Sequence, residues 1–302
     1  MSEGGGQAEP VPRSVEPASP SASSPSVPRN ACTCPETLLS TEQSSNHHLV
    51  TELMSKDGKA AAKPASNTTA RSSANILSRF DKRDGLGSYI NHPEKSNKSQ
   101  VIFYNDDFVG VNDLYPKSSV HCLLLPRSAK HQRMHPFEAF EDAKFLASVR
   151  EHAAKLKTLV AKELQRKYAQ FSEQERAREA VLNGEVELKE GEALPSGRDW
   201  EQEVRIGIHA HPSMNHLHIH VLSVDRFSEK LRHKKHYNSF STPFFIELDD
   251  FPLSVDDERR HPGRNGYLNS NLKCWRCGKD FGAKFTILKE HLATEFEQWK
   301  KD

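Results

Sequence analysis

Short apolar runs separated by turn-forming residues mark the central part of the chain. Val101–Tyr104, Phe108–Asn112 and Val120–Leu125 are rich in β-branched and aromatic residues, and Asn, Asp, Pro and Ser occur between them. Runs of this length and composition are typical of neighbouring antiparallel strands joined by turns. Val204–Ala210 has the same character, so the pattern predicts a sheet whose strands lie on both sides of a helical region in sequence.

The helical region begins near Pro136 and continues to about Tyr168. Its apolar residues recur at steps of three and four, which predicts a long helix with one core-facing side. These positions are Leu146, Val149, Ala153, Leu156, Val160 and Leu164. Ser172-Glu173-Gln174-Glu175 is a capping-box pattern, which predicts a second helix that runs to Leu182. The stretch of about 165 to 200 is charged and punctuated by Gly and Pro, and we interpret it as an insertion.

The first 73 residues are rich in Ser, Pro, Ala and Gly and poor in aromatic residues. A segment with so little apolar surface to bury is predicted to be a disordered tail. Order is predicted to begin near Ala74, with a short helix that contains glycines and ends before Pro93. Cys32 and Cys34 lie in the tail without a second pair of ligands, so we interpret them as incidental rather than metal-binding.

The stretch from Ile208 to Ser223 carries five of the sixteen histidines of the chain. Alternate side chains of an extended strand point to opposite faces, so three of these histidines would share one face: His216, His218 and His220. A row of imidazoles indicates either a histidine nucleophile with supporting groups or a metal site. No nearby carboxylate or cysteine in the sequence completes a tetrahedral zinc site, which favours the nucleophile.

Composition limits the class of protein. A length of 302 residues suffices for one or two domains, and 42 basic residues nearly balance 41 acidic residues. A nucleic-acid-binding signal must therefore be local. No apolar run approaches the roughly 18 residues of a membrane span, no signal-peptide core follows Met1, and the five cysteines are an odd number. These features predict a soluble intracellular protein with no membrane partner.

A local positive signal follows the histidines. Residues 226–236 contain five Lys or Arg residues and one acidic residue, Glu229. Such a run suits a phosphate backbone, and interleaved aromatic residues can stack on bases. The usual alternative for a charge run is a solvated surface. The candidate DNA contacts in this basic linker are Lys230, Lys234, Lys235 and His236.

Residues 274–295 have the spacing of a small zinc-binding module. The four candidate ligands are Cys274, Cys277, His291 and Glu295. Zinc takes four N, S or O donors, and a module with so small an apolar core needs the metal to fold. Histidine is commoner than glutamate at the fourth place, so a water or another carboxylate is the alternative there. A redox Cys-x2-Cys pair is the alternative for the cysteines, but the sequence lacks a supporting βαβ pattern.

The histidine stretch resembles the motif of the histidine-triad hydrolases and transferases. In His216-Leu217-His218-Ile219-His220-Val221-Leu222, histidines alternate with apolar residues as in that motif. With the preceding Pro212-Ser213-Met214-Asn215, the basic linker and the zinc module, the chain resembles the aprataxin family most closely. The glutamate at the fourth zinc position is similar to that of fungal-type members.

The resemblance implies an α+β fold: an antiparallel sheet of about five strands with helices packed on one side, followed by a small zinc finger. The implied division is a tail at 1–73, a catalytic domain at 74–225 that contains the insertion, and the linker and finger at 226–302. Zinc would be structural, and the chemistry would proceed without a metal. Phe80 and Tyr89 would stack on a base pair at a DNA end.

The resemblance also implies roles for the histidines. His218 would be the nucleophile that forms an AMP-histidine intermediate, His216 and His220 would orient it, and His209 would serve the leaving group. The further implied contacts are Asp113 for the ribose hydroxyls, His121 behind the triad, and Lys117 and Ser213 for phosphate oxygens.

A histidine triad combined with a basic linker and a finger indicates a polymeric substrate. The resemblance therefore implies a nuclear enzyme of DNA single-strand break repair, which removes AMP from 5′-adenylated ends left by abortive ligation. One alternative is a small-molecule hydrolase acting on adenosine phosphoramidates or dinucleoside polyphosphates. The other is a non-catalytic DNA-binding finger protein whose histidine cluster binds a metal.

Overall fold

The computed structural model describes residues 83–302. Six strands form one antiparallel sheet in the order β1-β2-β3-β5-β4-β6. They are β1 Val101–Tyr104, β2 Phe108–Asn112, β3 His121–Pro126, β4 Val204–His209, β5 Ile219–Ser223 and β6 Phe245–Glu247. The predicted α+β architecture is confirmed, and the short β6 adds one strand to the expected sheet by pairing with β4. The predicted tail, Cys32, Cys34 and Phe80 lie outside the described residues.

Seven α-helices occur within residues 83–302. They are α1 Gly87–Asn91, α2 Pro136–Ala139, α3 Ala143–Tyr168, α4 Glu173–Leu182, α5 Lys234–Ser241, α6 Pro262–Asn265 and α7 Phe285–Trp299. Short 3₁₀ turns lie at Pro93–Lys95, Ala169–Phe171, Leu248–Asp250, Glu258–Arg260 and Tyr267–Asn269. In the part of the chain described, every helix is too short or too polar to cross a bilayer.

The helix predicted from Pro136 to Tyr168 is divided into α2 and α3. Asp142 begins α3 as its N-cap, and its carboxylate accepts a hydrogen bond from the Phe145 amide at 3.2 Å. An N-cap residue has a non-helical backbone conformation, which accounts for the break. The six apolar positions predicted on one face of the helix are all buried. This face packs on β3, β4 and β5.

The two faces of the sheet pack against different helices. Leu124 and Ile219 lie in the main core together with the apolar face of α3. Val109 and Leu123 lie in a separate cluster that contains Ile90 of α1. Because side chains alternate along a strand, α1 and α3 cover opposite faces of the sheet. His220, which alternates with the core residues Ile219 and Val221 of β5, therefore lies on the α1 face.

The C-terminal residues contribute to two cores. Leu272, Leu288 and Leu292 belong to the small core of the finger. Phe296 and Trp299, on the last turns of the same helix, belong to the main core. Together with β6, these contacts make residues 226–302 part of the sheet and of its core. Truncation at 225 would therefore remove structural elements as well as the finger.

The insertion contains the predicted capping box. The Ser172 hydroxyl accepts a hydrogen bond from the Glu175 amide at 3.4 Å, and α4 runs to Leu182 as predicted. Residues 182–193 are exposed and lack regular helix or strand after the end of α4. The chain then returns to the core at Trp200, which is 5% exposed, and enters β4.

Gly207 lies where β4 and β6 approach each other closely. A methyl group there would lie 2.3 Å from the carbonyl oxygen of Ile246 and 2.6 Å from the ring of Phe245. We expect Gly207→Ala to lower the free energy of unfolding by about 1–3 kcal/mol, because β6 must shift. Gly263→Ala is the matched control, since nothing lies within 4 Å of a methyl group at that position. Urea denaturation measures both effects, and equal stability of the two variants would contradict the prediction.

Candidate active site and zinc site

Three neighbouring strands bring the histidines together. β4 ends at His209, β3 begins at His121, and β5 lies between these two strands. The ring centroids of His121 and His220 are 5.1 Å apart, and those of His209 and His220 are 4.5 Å apart. His216 and His218 lie in the segment that leads into β5, and the ring of His218 lies 4.9 Å from that of His220. The sheet register therefore forms the histidine cluster.

All five imidazoles are buried, with exposed fractions between 3% and 7%. Burial disfavours the charged form and is the main cause that lowers the pKa of each ring. The pKa of His121 falls to about 4, and those of His209 and His220 lie well below 6.5. The rings are consequently neutral near pH 7.

His218 is held in one tautomer by the backbone. Its Nδ1 lies 2.8 Å from the carbonyl oxygen of His216. A carbonyl oxygen can only accept, so we assign the proton to Nδ1 and a lone pair to Nε2. Burial lowers the pKa of His218, which keeps this ring neutral. A neutral imidazole with one nitrogen fixed as a donor is the form that a histidine nucleophile requires.

His121 fixes the tautomer of His220. The backbone amide of Lys117 donates to Nδ1 of His121 at 3.1 Å, so Nε2 of His121 carries the proton. That Nε2 donates to Nδ1 of His220 at 3.0 Å. The other nitrogen of His220, Nε2, therefore carries a proton, and it has no hydrogen-bond partner within residues 83–302. Asp113 lies beside this chain of rings, with its carboxylate 3.4 Å from Nδ1 of His121.

A nitrogen of His209 is the second unpaired polar atom in the cluster. Its Nε2 is buried and also lacks a hydrogen-bond partner among the described residues. Buried polar atoms are almost always hydrogen-bonded in proteins. Two such atoms on adjacent rings therefore indicate the position of a polar ligand with acceptor atoms, which the N–H of His220 would bind.

Lys117 lies beside the cluster. Its backbone amide donates to Nδ1 of His121 at 3.1 Å, and its charge contributes to the lowered pKa values of His209, His220 and His236. Burial lowers the pKa of His236 to about 4. Ser213, in contrast, is exposed in the loop before β5, and no described contact joins it to the histidines.

The basic linker lies between the cluster and the finger. Lys234 and Lys235 are the first two residues of α5, and Lys230 precedes that helix. Tyr237 of α5 lies in the small core of the finger, and the ring of Phe240 on the same helix contacts three of the histidines. The linker helix thus connects the two sites.

Phe240 of α5 is a site residue that the sequence did not reveal. Its ring packs edge-on against His121, His209 and His220, with centroid distances of 5.4, 4.5 and 5.1 Å. Arg226 lies behind it and donates a hydrogen bond to its carbonyl oxygen at 2.9 Å. Phe240 therefore packs against the histidines from the linker helix. Its position after a charged run in the sequence did not indicate this contact.

The start of α1 is a second contact that the sequence did not reveal. A methyl group on Gly87 would lie 3.1 Å from Cε1 of His216, so glycine allows α1 to approach the triad closely. The Asp84 carboxylate accepts a hydrogen bond from Asn215 at 3.1 Å and forms an ion pair with Arg133 at 3.2 Å. Tyr89, on the same helix, is half-buried and donates to Oε1 of Gln100 at 2.7 Å.

The four predicted zinc ligands lie together. One ligand atom from each of Cys274, Cys277, His291 and Glu295 lies within 4.8 Å of the others. Nε2 of His291 is 3.2 Å from Sγ of Cys277 and 3.1 Å from Oε1 of Glu295. Two thiolates, an imidazole and a carboxylate form a donor set that suits tetrahedral zinc. These residues could hold a structural zinc ion, with Glu295 as the fourth ligand.

A second group of potential ligands lies in the histidine cluster. Asp113, His121 and His220 also offer atoms within 4.8 Å of one another. Nε2 of His121 and Nδ1 of His220 are, however, hydrogen-bonded to each other at 3.0 Å. A metal would need both lone pairs and would have to displace the shared proton. The geometry therefore favours a hydrogen-bonded relay at this place.

The buried histidines predict a dependence of stability on pH. The unfolded chain binds protons below pH 6.5, whereas the folded pKa of His121 is about 4. Stability is therefore complete above pH 6.5 and falls as the pH decreases towards 4, and His121 alone accounts for a loss of about 2 kcal/mol at pH 5. Urea denaturation at pH 7.5 and pH 5.0 measures this loss. The loss should be smaller in His121→Asn, and an equal loss in both proteins would refute the prediction.

The zinc site predicts a specific requirement for Glu295. We expect Glu295→Ala to weaken zinc binding by at least about 100-fold, because a ligand is lost. Glu297→Ala is the matched control, since Glu297 lies on the same helix, is 61% exposed and pairs with Lys300. Competition of each protein with a zinc chelator measures the affinity. Equal zinc affinities for the two variants would exclude Glu295 as a ligand.

Comparison with known proteins adds the family. The HIT domain matches residues 94–227, and the C2HE / C2H2 / C2HC zinc-binding finger matches residues 241–298. An aprataxin-like protein of Schizosaccharomyces pombe is 36% identical, over 72% of this chain and 82% of its own length. An aprataxin-like protein of Saccharomyces cerevisiae is 34% identical, over 71% and 95%.

Solved structures show the same similarity. The aprataxin ortholog Hnt3 in complex with DNA has a TM-score of 0.57 and 33% identity, and the match covers 72% of this chain and 96% of that chain. Hnt3 from Schizosaccharomyces pombe has a TM-score of 0.56 and 32% identity, over 73% and 96%. The C2HE ligand set matches that of the zinc-binding finger family, and the similarity covers between 82% and 96% of the length of these relatives. The chain therefore belongs to the aprataxin family of HIT-domain proteins.

Proposed function

We propose that this protein is a hydrolase that removes AMP from 5′-adenylated DNA through a covalent AMP-histidine intermediate on His218. The observation that carries the proposal is the state of the His218 ring, which is neutral with its Nδ1 proton bound to a backbone carbonyl at 2.8 Å. The free Nε2 lone pair is then available to attack phosphorus.

The first step transfers the adenylyl group to the protein. Nε2 of His218 attacks the phosphorus of the AMP moiety, and a P–N bond forms as the bond from phosphorus to the oxygen of the DNA 5′-phosphate breaks. His209 donates a proton to that leaving oxygen. Burial and the charge of Lys117 lower the pKa of His209, so its ring takes up this proton from solvent when the negative diphosphate of the substrate lies beside it and raises its pKa.

The second step releases the products. A water molecule attacks the same phosphorus, its proton passes to His209, and the P–N bond breaks. AMP leaves and His218 regains its neutral form. The unpaired N–H of His220 and the charge of Lys117 stabilise the phosphate oxygens in both steps, which is the task of an oxyanion-binding group. Ser213 and Asp113 complete the proposed contacts to phosphate and ribose.

The DNA part of the proposal is supported by the linker and the finger. The relative Hnt3 was solved in complex with DNA, and also with DNA and guanosine. In this chain, Lys234 and Lys235 lie on the same helix as Phe240, whose ring contacts three site histidines. A phosphate backbone bound by the lysines would therefore bring its end to His218. A small-molecule hydrolase would have no use for this arrangement.

Zinc has a structural role in the proposal. It would be held by Cys274, Cys277, His291 and Glu295 and would keep the finger folded, while the proposed transfer itself uses the histidines and Lys117. A DNA substrate is the reason for which we also propose a nuclear location and a role in the repair of single-strand breaks. A 5′-guanylylated end, which has the same diphosphate linkage, is a related substrate.

The test is the reaction with 5′-adenylated nicked DNA. We expect wild-type protein to release AMP and to carry AMP on His218, which mass spectrometry without acid treatment would detect. His218→Ala should lose at least about a thousandfold in rate, since the nucleophile is removed. His92→Asn is the matched control, because His92 is 59% exposed and pairs with the exposed Glu94.

The same assay separates the alternatives. A higher kcat/KM for adenosine 5′-phosphoramidate than for adenylated DNA would identify a small-molecule hydrolase. Full activity of His218→Ala would eliminate the covalent mechanism, and DNA binding without any AMP release would indicate a non-catalytic binding protein.

A further inference from the structure

The helix α7 connects the finger to the catalytic sheet. Two candidate zinc ligands, His291 and Glu295, lie in its middle, and Trp299 ends it in the main core. Trp299 is 2% exposed, and Phe296 beside it stacks on Phe227 with a centroid distance of 4.2 Å. The orientation of the finger relative to the sheet is therefore set by what holds the end of α7.

The insertion binds this end of α7 through Arg198. Nη1 of Arg198 donates to the carbonyl oxygen of Trp299 at 2.6 Å, and Nη2 donates to the carboxylate of Glu203 at 2.8 Å. The indole N–H of Trp299 donates to the other oxygen of Glu203 at 2.7 Å, which closes a ring of three residues. The guanidinium also lies 4.5 Å from the ring centroid of Trp200 and 4.8 Å from that of Trp299.

The start of α4 binds the residues that follow α7. The Glu173 amide donates to the carbonyl oxygen of Lys301 at 2.8 Å, and the Ser172 hydroxyl donates to that of Asp302 at 3.2 Å. Within the finger, Arg276 contacts both the Asp302 carboxylate at 2.8 Å and the Glu295 carboxylate at 3.0 Å. The insertion, the end of the chain and the zinc site are thus joined by consecutive contacts.

The insertion is built to hold this position. Arg198 is 7% exposed, and Glu175 is 4% exposed and accepts the indole N–H of Trp200 at 2.7 Å. Burying charged residues is unfavourable unless they are paired and hydrogen-bonded, so an exposed surface loop would not contain them. Glu203 lies six residues before His209, roughly 20 Å away along extended β4, so the group does not touch the substrate.

We propose that the insertion fixes the finger on the catalytic sheet, and that Arg198 is the positioning residue through which it does so. The proposal rests on the proposed function, because a correctly placed finger matters only for a polymeric substrate. Loss of Arg198 lets the end of α7 move, so that the finger and linker no longer present the DNA end to His218. A small adenylate, which contacts the histidine cluster alone, does not depend on it.

The test compares two substrates in the full-length protein. For Arg198→Met, we expect KM for 5′-adenylated nicked DNA to rise about tenfold or more, because a substrate held by two sites is misaligned when one site moves. The kcat/KM for adenosine 5′-phosphoramidate should stay within about twofold of wild type. Arg178→Met is the matched control and should resemble wild type, because Arg178 donates to Pro195 inside the insertion and does not touch the finger.

Two milder variants keep the test decisive if Arg198→Met folds poorly. Glu203→Gln preserves an acceptor for the Trp299 indole but loses the charge that holds Arg198, so it should show the same KM change at smaller size. Arg198→Lys keeps the charge but can reach only one acceptor at a time, and should restore part of the DNA affinity.

The outcomes distinguish this proposal from the proposed function. An unchanged KM for DNA in Glu203→Gln and Arg198→Met, or an equal loss on both substrates in Glu203→Gln, would overturn the positioning role. Failure of the wild-type protein itself to release AMP from adenylated DNA would instead overturn the function on which it rests.

Discussion

The exclusion of water from five imidazoles is the constraint on which the site depends. A histidine in water is partly protonated near neutral pH and can donate from either nitrogen. In this protein, burial lowers the pKa of His218, and the carbonyl oxygen of His216 accepts a hydrogen bond from its Nδ1–H. His121, which is held by the Lys117 amide, donates a hydrogen bond to Nδ1 of His220. Backbone groups thus select the charge and the tautomer of both rings.

Enclosure of the rings requires parts of the chain that are far apart in sequence. Phe240 covers three of the histidines from the linker helix, and Gly87 lets α1 approach His216 from the other side. The linker helix also begins with Lys234 and Lys235, which are half-buried. The linker helix therefore both shields the histidines from water and carries the proposed DNA contacts. It links the histidine site directly to the proposed DNA-binding surface.

The finger and the insertion are also attached to the catalytic sheet. Phe296 and Trp299 bury the end of α7 in the main core, so the zinc module has a fixed partner in the sheet. Arg198 and Glu203 join the insertion to the same helix end by charged hydrogen bonds in a buried place. Such bonds are directional, and they select one arrangement where apolar packing alone would permit several.

Local patterns were sufficient for much of this architecture. Alternating or periodic apolar residues predicted β1 to β4 and the face of α3, since one side of each element must be buried. Spacing alone predicted that His291 and Glu295 lie one turn apart on a helix with the cysteines nearby, as the structure shows. The break at Asp142 was missed, because an N-cap inside a continuous apolar pattern leaves that pattern unchanged.

The sequence by itself determined the candidate residues for the chemistry: a row of histidines, a four-ligand module and a basic run are visible as residue types at fixed spacing. Only the tertiary structure decided the protonation state of those residues and the groups that surround them. Examples are the tautomer of His218, the contact of Phe240 with the site histidines and the hydrogen bond from Arg198 to the carbonyl oxygen of Trp299. Each depends on groups that meet only in the folded chain. Their partners are chosen by strand register and helix packing, and no local pattern records which distant atoms these bring together.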